Sequence, residues 1–229
     1  MCIRDSYGKS HILHGIDLTV NRGEVVSLLG RNGAGRSTTM KSIMGLVDVT
    51  AGQITIEGRD ITGKRPFEIA RAGLGFVPEE REVFANLTVD ENLRMGEQPP
   101  RPDAPAWTIE QMFGYFPRLK ERRNTRAGNL SGGEQQMLTM CRSLLGNPKV
   151  MLIDEPTEGL APKIVEVIAD VIRDIHQRGV SVVLVEQKLT IALKVSTRVS
   201  VMGHGRIVFE GPPAQLHERQ DVVQEWLAV

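Results

Sequence analysis

The sequence predicts an α/β fold, with a largely parallel sheet, an antiparallel β layer and an inserted α-helical subdomain, and three observations support it. The apolar run Val25 to Leu29 passes into Gly30-Arg31-Asn32-Gly33-Ala34-Gly35, after which Met40, Ile43, Met44 and Val47 recur at helical spacing: strand, glycine loop, helix. The runs Lys149 to Asp154 and Val180 to Glu186 both end in an acidic residue and flank a helical pattern from about Lys163 to Gln177, the βαβ order of parallel strands. Between these blocks helical patterns replace strand patterns.

Taken in order, Ile12 to Val20 alternates polar and apolar residues ahead of the turn Asn21-Arg22-Gly23, so a strand is expected there. Met1 to Ser6 has neither the order of a secretory signal nor a clean strand alternation. Gln53 to Gly58 alternates again, and Leu74-Gly75-Phe76-Val77 reads as a short strand closed by Pro78, giving a β-rich layer over the first half. Pro99, Pro100, Pro102 and Pro105 exclude regular structure between Gly96 and Ala106, which is expected to be a surface connection joining two helical pieces. From Glu134 to Leu145, Met137, Leu138, Cys141, Leu144 and Leu145 form the stripe of an amphipathic helix that opens at Ser131-Gly132-Gly133. The expected organisation is one domain over 1–229, with its core at 7–79 and 147–211, a helical subdomain at 80–146 and a C-terminal helix at 212–229.

Composition narrows the function. A chain of 229 residues buries one substantial core. Its formal net charge is +0, so no overall field draws it to nucleic acid or to an anionic bilayer. No apolar run approaches the roughly 18 residues of a spanning helix. Cys2 and Cys141 are far apart and have no metal-ligand spacing, which argues against a disulfide framework and for a reducing compartment.

Gly30 to Ser37 reads G-R-N-G-A-G-R-S, the P-loop spacing G-x-x-x-x-G-K-[ST] with Arg36 where lysine is expected. In such a loop the backbone N–H groups wrap a phosphate chain, the following helix presents its positive N-terminus, and Ser37 reaches magnesium. The alternative is a glycine-rich turn between strand and helix. Asp154 and Glu155, at the end of an apolar strand, supply a second half: one carboxylate for the metal and the next to polarise an attacking water. Taken alone, Asp-Glu-Pro is also a common solvated strand end.

Leu130-Ser131-Gly132-Gly133-Glu134-Gln135-Gln136 is the most specific stretch, and through it the chain resembles the ABC ATPase family, a P-loop NTPase (RecA-like) core, from Tyr7 to about Gly211. Ser131 with Glu134 also reads as a helix capping box, and the same atoms serve both readings. The resemblance implies ATP and Mg2+ as cofactors. Gly30, Arg31, Asn32, Gly33, Ala34, Gly35, Arg36, Ser37 and Thr38 would then hold phosphates, and Ser37 and Asp154 the metal. Glu155 would be the base, Tyr7 would stack on adenine, and Ser131, Gly132 and Gly133 would complete the site of a second ATPase subunit in a head-to-tail dimer. Glu79 falls where most members have the γ-phosphate-sensing glutamine, Gln187 where they have the switch histidine, and Ala161 where many have an aspartate. Glutamine carries no titrating proton, so a pH-dependent switch is not expected at 187.

Val77-Pro78-Glu79, Gly159-Leu160-Ala161-Pro162 and Val185-Glu186-Gln187 resemble the ATPase branch of branched-chain amino acid importers. Urea or short-chain amide importers, lipid or lipopolysaccharide exporters, and soluble ABC proteins or regulators are the alternatives. The implied partners are the second ATPase, two transmembrane permease subunits and, indirectly, a substrate-binding protein, with no nucleic acid; the implied location is the cytoplasmic face of the plasma (inner) membrane. Members of the family have a full strand ahead of the adenine-stacking tyrosine, so the first strand here is expected to be truncated or replaced. Arg36 keeps the charge but not the shape of lysine, which leaves open near-normal turnover and a site that binds ATP yet hydrolyses it slowly beside a stronger partner.

Overall fold

The computed structural model describes residues 2–4, 13 and 15–227. Two short strands, Cys2–Arg4 (β1) and Ile16–Asp17 (β2), precede the buried strand Val25–Gly30 (β3) and helix Arg36–Ile43 (α1). Strands Ala51–Gln53 (β4), Thr55–Ile56 (β5) and Arg59–Asp60 (β6) lead to helix Pro66–Ala72 (α2) and strand Leu74–Val77 (β7). An all-helical stretch follows: Val89–Gly96 (α3), Ile109–Tyr115 (α4), Pro117–Glu121 (α5) and Gly132–Leu144 (α6). The chain returns through Val150–Asp154 (β8), Pro162–Gln177 (α7), Ser181–Val185 (β9), Leu189–Val195 (α8), Arg198–Gly203 (β10) and Arg206–Gly211 (β11), and closes with Pro213–Glu218 (α9) and Gln220–Trp226 (α10).

The main sheet has the order β11-β10-β3-β9-β8-β7, parallel throughout except for the β10–β11 hairpin. Its register puts Leu28 opposite Val185 and Val185 opposite Asp154, so the C-terminal ends of β3, β8 and β9 lie level. Ligands of open parallel sheets bind at that edge. Alternation sends successive side chains to opposite layers. Met151, Ile153, Val182 and Leu184 join Met137, Leu138, Cys141, Leu144, Ile168 and Ile172 on one face. On the other face, Val26, Leu28, Leu152, Val183 and Val185 pack with Met40, Ile43, Ile54, Ile56 and Ile61. The helical stretch therefore shares its core with the sheet, and truncating a fully buried Leu138 or Ile172 to alanine would cost about 2–5 kcal/mol.

Several expectations change. Cys2–Arg4, where no strand alternation was legible, forms a strand pairing antiparallel with both β2 and β4. The strand expected over Ile12 to Val20 reduces to Ile16–Asp17, and Ile12 lies outside the described residues. Gln53 to Gly58 is not one strand, because Glu57 and Gly58 take φ of 47° and 76° and turn the β5–β6 hairpin. Leu74–Val77 leaves the β layer and forms the edge of the main sheet beside β8. The C-terminal helix is two helices, broken at Arg219, whose φ of −93° and ψ of 65° are not helical. The proline-rich connection is irregular but tethered: Asn147 Nδ2 donates to the Gln98 carbonyl at 2.7 Å, and Arg101 Nη2 donates to the Ala70 carbonyl at 3.0 Å.

Candidate functional site

Four loops leave the same sheet edge and form one cleft, lined by Asn32, Gly33, Gly35, Arg36, Ser37, Thr38, Glu79, Glu155, Glu158 and Gln187. The glycine loop folds as it does because its residues permit it. Gly30 has φ 151°, and a Cβ there would stand 2.6 Å from the Met202 carbonyl oxygen. Gly35 takes φ 100° as the N-cap of α1, and Gly33 takes φ 81° with open space around it. Ala34 is buried, and its carbonyl accepts from Gly205 N at 3.2 Å. Arg31 lines an adjoining cavity with Leu29, Gly30, Asn32, Glu186, Gln187, Leu189 and Leu227.

Ser37 Oγ donates to Asp154 Oδ1 at 3.2 Å, joining the start of α1 to the end of β8. Both are hard oxygen donors, the type magnesium prefers. Burial pushes the Asp154 carboxyl above the usual carboxylate range, although the Ser37 hydrogen bond and the Arg36 charge oppose the shift. Glu155 follows in the left-handed region, at φ 45°, its N–H donating to the Val185 carbonyl at 2.9 Å. Such a backbone position costs a non-glycine residue about 1–3 kcal/mol and recurs at functional sites.

Arg36 and Glu155 form an ion pair at 3.0 Å, with only 5% and 6% of their side chains exposed. Arg36 also donates to Asn32 Oδ1 at 3.2 Å and to the Glu186 carbonyl at 3.3 Å. The second Glu155 oxygen accepts from Gln187 Nε2 at 2.7 Å. Burial raises the Glu155 carboxyl, with Arg36 opposing and Glu79 and Asp154 reinforcing the shift. Carboxylate oxygens of Glu79, Glu155 and Glu158 lie within 4.8 Å of one another. Glu79 is raised by burial first, then by its hydrogen bond to Glu158 and by that residue's charge.

Ser131, Gly132 and Gly133 are not among the residues lining this cleft. Ser131 caps α6 reciprocally with Glu134: its Oγ donates to Glu134 Oε2 at 2.8 Å and accepts from Glu134 N at 3.3 Å. A Cβ on Gly132 would collide with the Arg81 guanidinium, which also donates to the Glu158 carbonyl at 2.9 Å. Tyr7 lies outside the described residues.

Glu158, which lines the cleft, and the two buried residues Glu186 and Thr157 went unassigned in the sequence. Glu186 is buried, and its carboxylate accepts from Thr157 Oγ1 at 2.7 Å, Gln187 N at 2.9 Å and Lys188 N at 3.0 Å. Its signal was visible as the acidic end of an apolar strand. Thr157 gave no signal, since its partner Glu186 lies 29 positions further along the chain.

A P-loop after a buried strand, with paired carboxylates at the neighbouring strand end, defines a nucleotide-binding hydrolase. The family model for the ABC transporter matches residues 13–158. The chain is 43% identical over 210 residues to the high-affinity branched-chain amino acid transport ATP-binding protein BraG of Pseudomonas aeruginosa, covering 92% of this chain and 90% of that protein. It is 32% identical to the lipopolysaccharide export system ATP-binding protein LptB of Escherichia coli, over 97% and 93% of the two chains. Among solved structures it resembles an ATP-binding cassette of an ABC transporter in its ADP conformation, with a TM-score of 0.80, 28% identity and 98% coverage of each chain. The chain belongs to the ABC transporter family, as an ATP-binding and ATP-hydrolysing component. Such components work in association with a membrane, and no helix among the described residues is long and apolar enough to cross one.

Proposed function

We propose that this chain powers an importer of branched-chain amino acids from the cytoplasmic face of the membrane. The observation that carries this is the 43% identity to BraG over nearly the whole of both chains. A lipopolysaccharide exporter is the second reading, favoured by the 97% coverage of this chain by LptB at lower identity.

In this reading two ATPase subunits pair head to tail and grip permeases that receive cargo from a substrate-binding protein. Gly30 to Thr38 hold the phosphates of ATP, and Ser131 to Gly133 of the facing subunit complete the site. That these three do not line the chain's own cleft supports the division of labour. The Ser37–Asp154 pair fits magnesium, which, when bound, neutralises charge on the phosphate oxygens. Glu155 draws the proton from the attacking water, Gln187 orients the terminal phosphate, and Glu79 reports its presence toward the helical stretch. The buried Arg36–Glu155 ion pair, which has to be parted before Glu155 can act, supports slow turnover at this site, with the partner's site carrying more of the flux.

The test is ATP hydrolysis by the assembled transporter in liposomes, with binding protein loaded with leucine, isoleucine or valine, or with lipopolysaccharide in their place. Acceleration by the aliphatic amino acids is expected; acceleration by lipopolysaccharide alone would refute the importer reading. In the same assay Arg36→Lys is expected to raise turnover at this chain's site, and equal rates would refute the slow site.

A further inference from the structure

Arg36, in the glycine loop, donates to three protein acceptors: Glu155 Oε1, Asn32 Oδ1 and the Glu186 carbonyl. The planar guanidinium makes this possible, because its five donors in a fixed fork engage three acceptors on three segments at once. A lysine ammonium, a point charge on a flexible stem, has no equivalent grip.

The partner most affected is Glu155. One of its oxygens is ion-paired to Arg36 at 3.0 Å and the other accepts from Gln187 at 2.7 Å. With one oxygen on the guanidinium and the other on the Gln187 amide, both Glu155 oxygens are already engaged and neither is free to meet a water molecule. Both charges are almost fully buried, so neither is freed by exposure to solvent; a separated pair needs a replacement partner on each side. A phosphate oxygen is such a replacement partner for the guanidinium, since arginine N–H groups form charge-assisted hydrogen bonds to phosphate and to carboxylate oxygens alike.

We propose that Arg36 is a positioning residue that exchanges partners: nucleotide phosphates entering the loop take the guanidinium from Glu155, and only then is Glu155 free to act on water. The inference rests on the reading that Gly30 to Thr38 hold phosphate and that Glu155 is the base. It adds that the base is restrained by the very residue that binds the ligand, so hydrolytic competence is coupled to phosphate occupancy within a single chain. Asn32 and the Glu186 carbonyl define where the guanidinium rests before the exchange, and Gln187 keeps the second oxygen of Glu155 in place during it.

The exchange is tested by a double-mutant cycle read in binding rather than turnover. The dissociation constant for ADP with magnesium is measured by titration calorimetry on the purified full chain for wild type, Glu155→Gln, Arg36→Met and the double variant, with circular dichroism to verify folding. Because ADP binding to wild type must break the ion pair, Glu155→Gln is expected to tighten ADP binding, and to do so about tenfold more with Arg36 present than in the Arg36→Met background, the low end of coupling between close charges. If Arg36 bridged carboxylate and phosphate together, Glu155→Gln would have an equal or smaller effect with Arg36 present, and the exchange would be overturned while the nucleotide site stood. Failure of the wild-type chain to bind ADP would overturn the phosphate reading and the exchange with it. Should Arg36→Met not fold, Arg36→Gln replaces it in the cycle.

Discussion

Thr157→Val isolates one buried hydrogen bond. Thr157 is fully buried, its hydroxyl donates to Glu186 Oε2 at 2.7 Å, and among the described residues Arg36 reaches Glu186 only at its backbone carbonyl, not at its carboxylate. The Glu186 charge is therefore held by the backbone amides of Gln187 and Lys188 on one oxygen and by this hydroxyl on the other. Valine keeps the shape and removes the donor where no solvent can replace it. A hydrogen bond to a charged group contributes about 1.5–3 kcal/mol, so a loss of about 2 kcal/mol is expected. For a chain of this size that is a fall in melting temperature of about 6 °C. Thr157→Ser keeps the hydroxyl and gives up one methyl, worth about 0.8 kcal/mol. Thermal and urea unfolding of the nucleotide-free chain should rank wild type, Ser, Val. A valine variant as stable as wild type, or more stable than serine, would mean that Glu186 does not depend on this bond, and the link between residue 157 and the Gln187 loop would have to be abandoned.

Asp154→Asn should stabilise the nucleotide-free chain by about 1 kcal/mol at neutral pH, since the site maintains a buried carboxylate at a cost to stability. The carboxyl is raised, so Asp154 contributes stability that is present below the ordinary aspartate range and lost as pH rises through its folded pKa; the gain from asparagine should appear in urea unfolding near pH 7 and vanish near pH 4. Gly30→Ala forces a Cβ toward the Met202 carbonyl at a φ that favours glycine, and both melting temperature and ADP affinity are expected to fall; an unchanged thermal melt would contradict the close approach. Chelating magnesium with EDTA should weaken ATP binding at least tenfold, measured with a fluorescent analogue, because Glu79, Glu155 and Glu158 crowd the cleft that receives the phosphates.

Periodicity made the central strands legible: β3, β8 and β9 are continuous apolar runs because both faces of a parallel sheet are covered, and α6 and α7 repeat their apolar residues on one side. The glycine loop and Asp154-Glu155 were legible for the same local reason, since each sits directly beyond such a run. The placement of β7 was not, because four residues with a glycine look alike in a core sheet and in a peripheral layer; pairing with β8 is a long-range choice. Glu57 gave no sign of its left-handed turn, as glutamate has no preference for that region and only Gly58 beside it points to a hairpin. The orientation of Arg36 was also hidden: composition places a cation in the loop, but its acceptors come from residues as distant as 155 and 186.

These long-range acceptors change how the charge of the cleft is understood. Glu79, Glu155 and Glu158 line it, Asp154 adjoins it through Ser37, and among the described residues Arg36 is the one cation in the lining. An anionic ligand entering such a cleft meets more negative charge than positive, so the loop amides and one guanidinium do not suffice. Two adjustments lower that barrier. Burial and mutual repulsion already raise Glu79, Asp154 and Glu155, weakening the ionised forms, and a divalent cation on Ser37 and Asp154 would offset much of the rest. The arginine then works against two acids rather than one ligand. Its pairing with Glu155 removes a negative charge from the cleft while the phosphates are absent, and its release restores that charge at the moment a base is required. A site arranged in this way couples its acidity to its occupancy, with carboxylates close enough to repel one another as long as no cation stands between them.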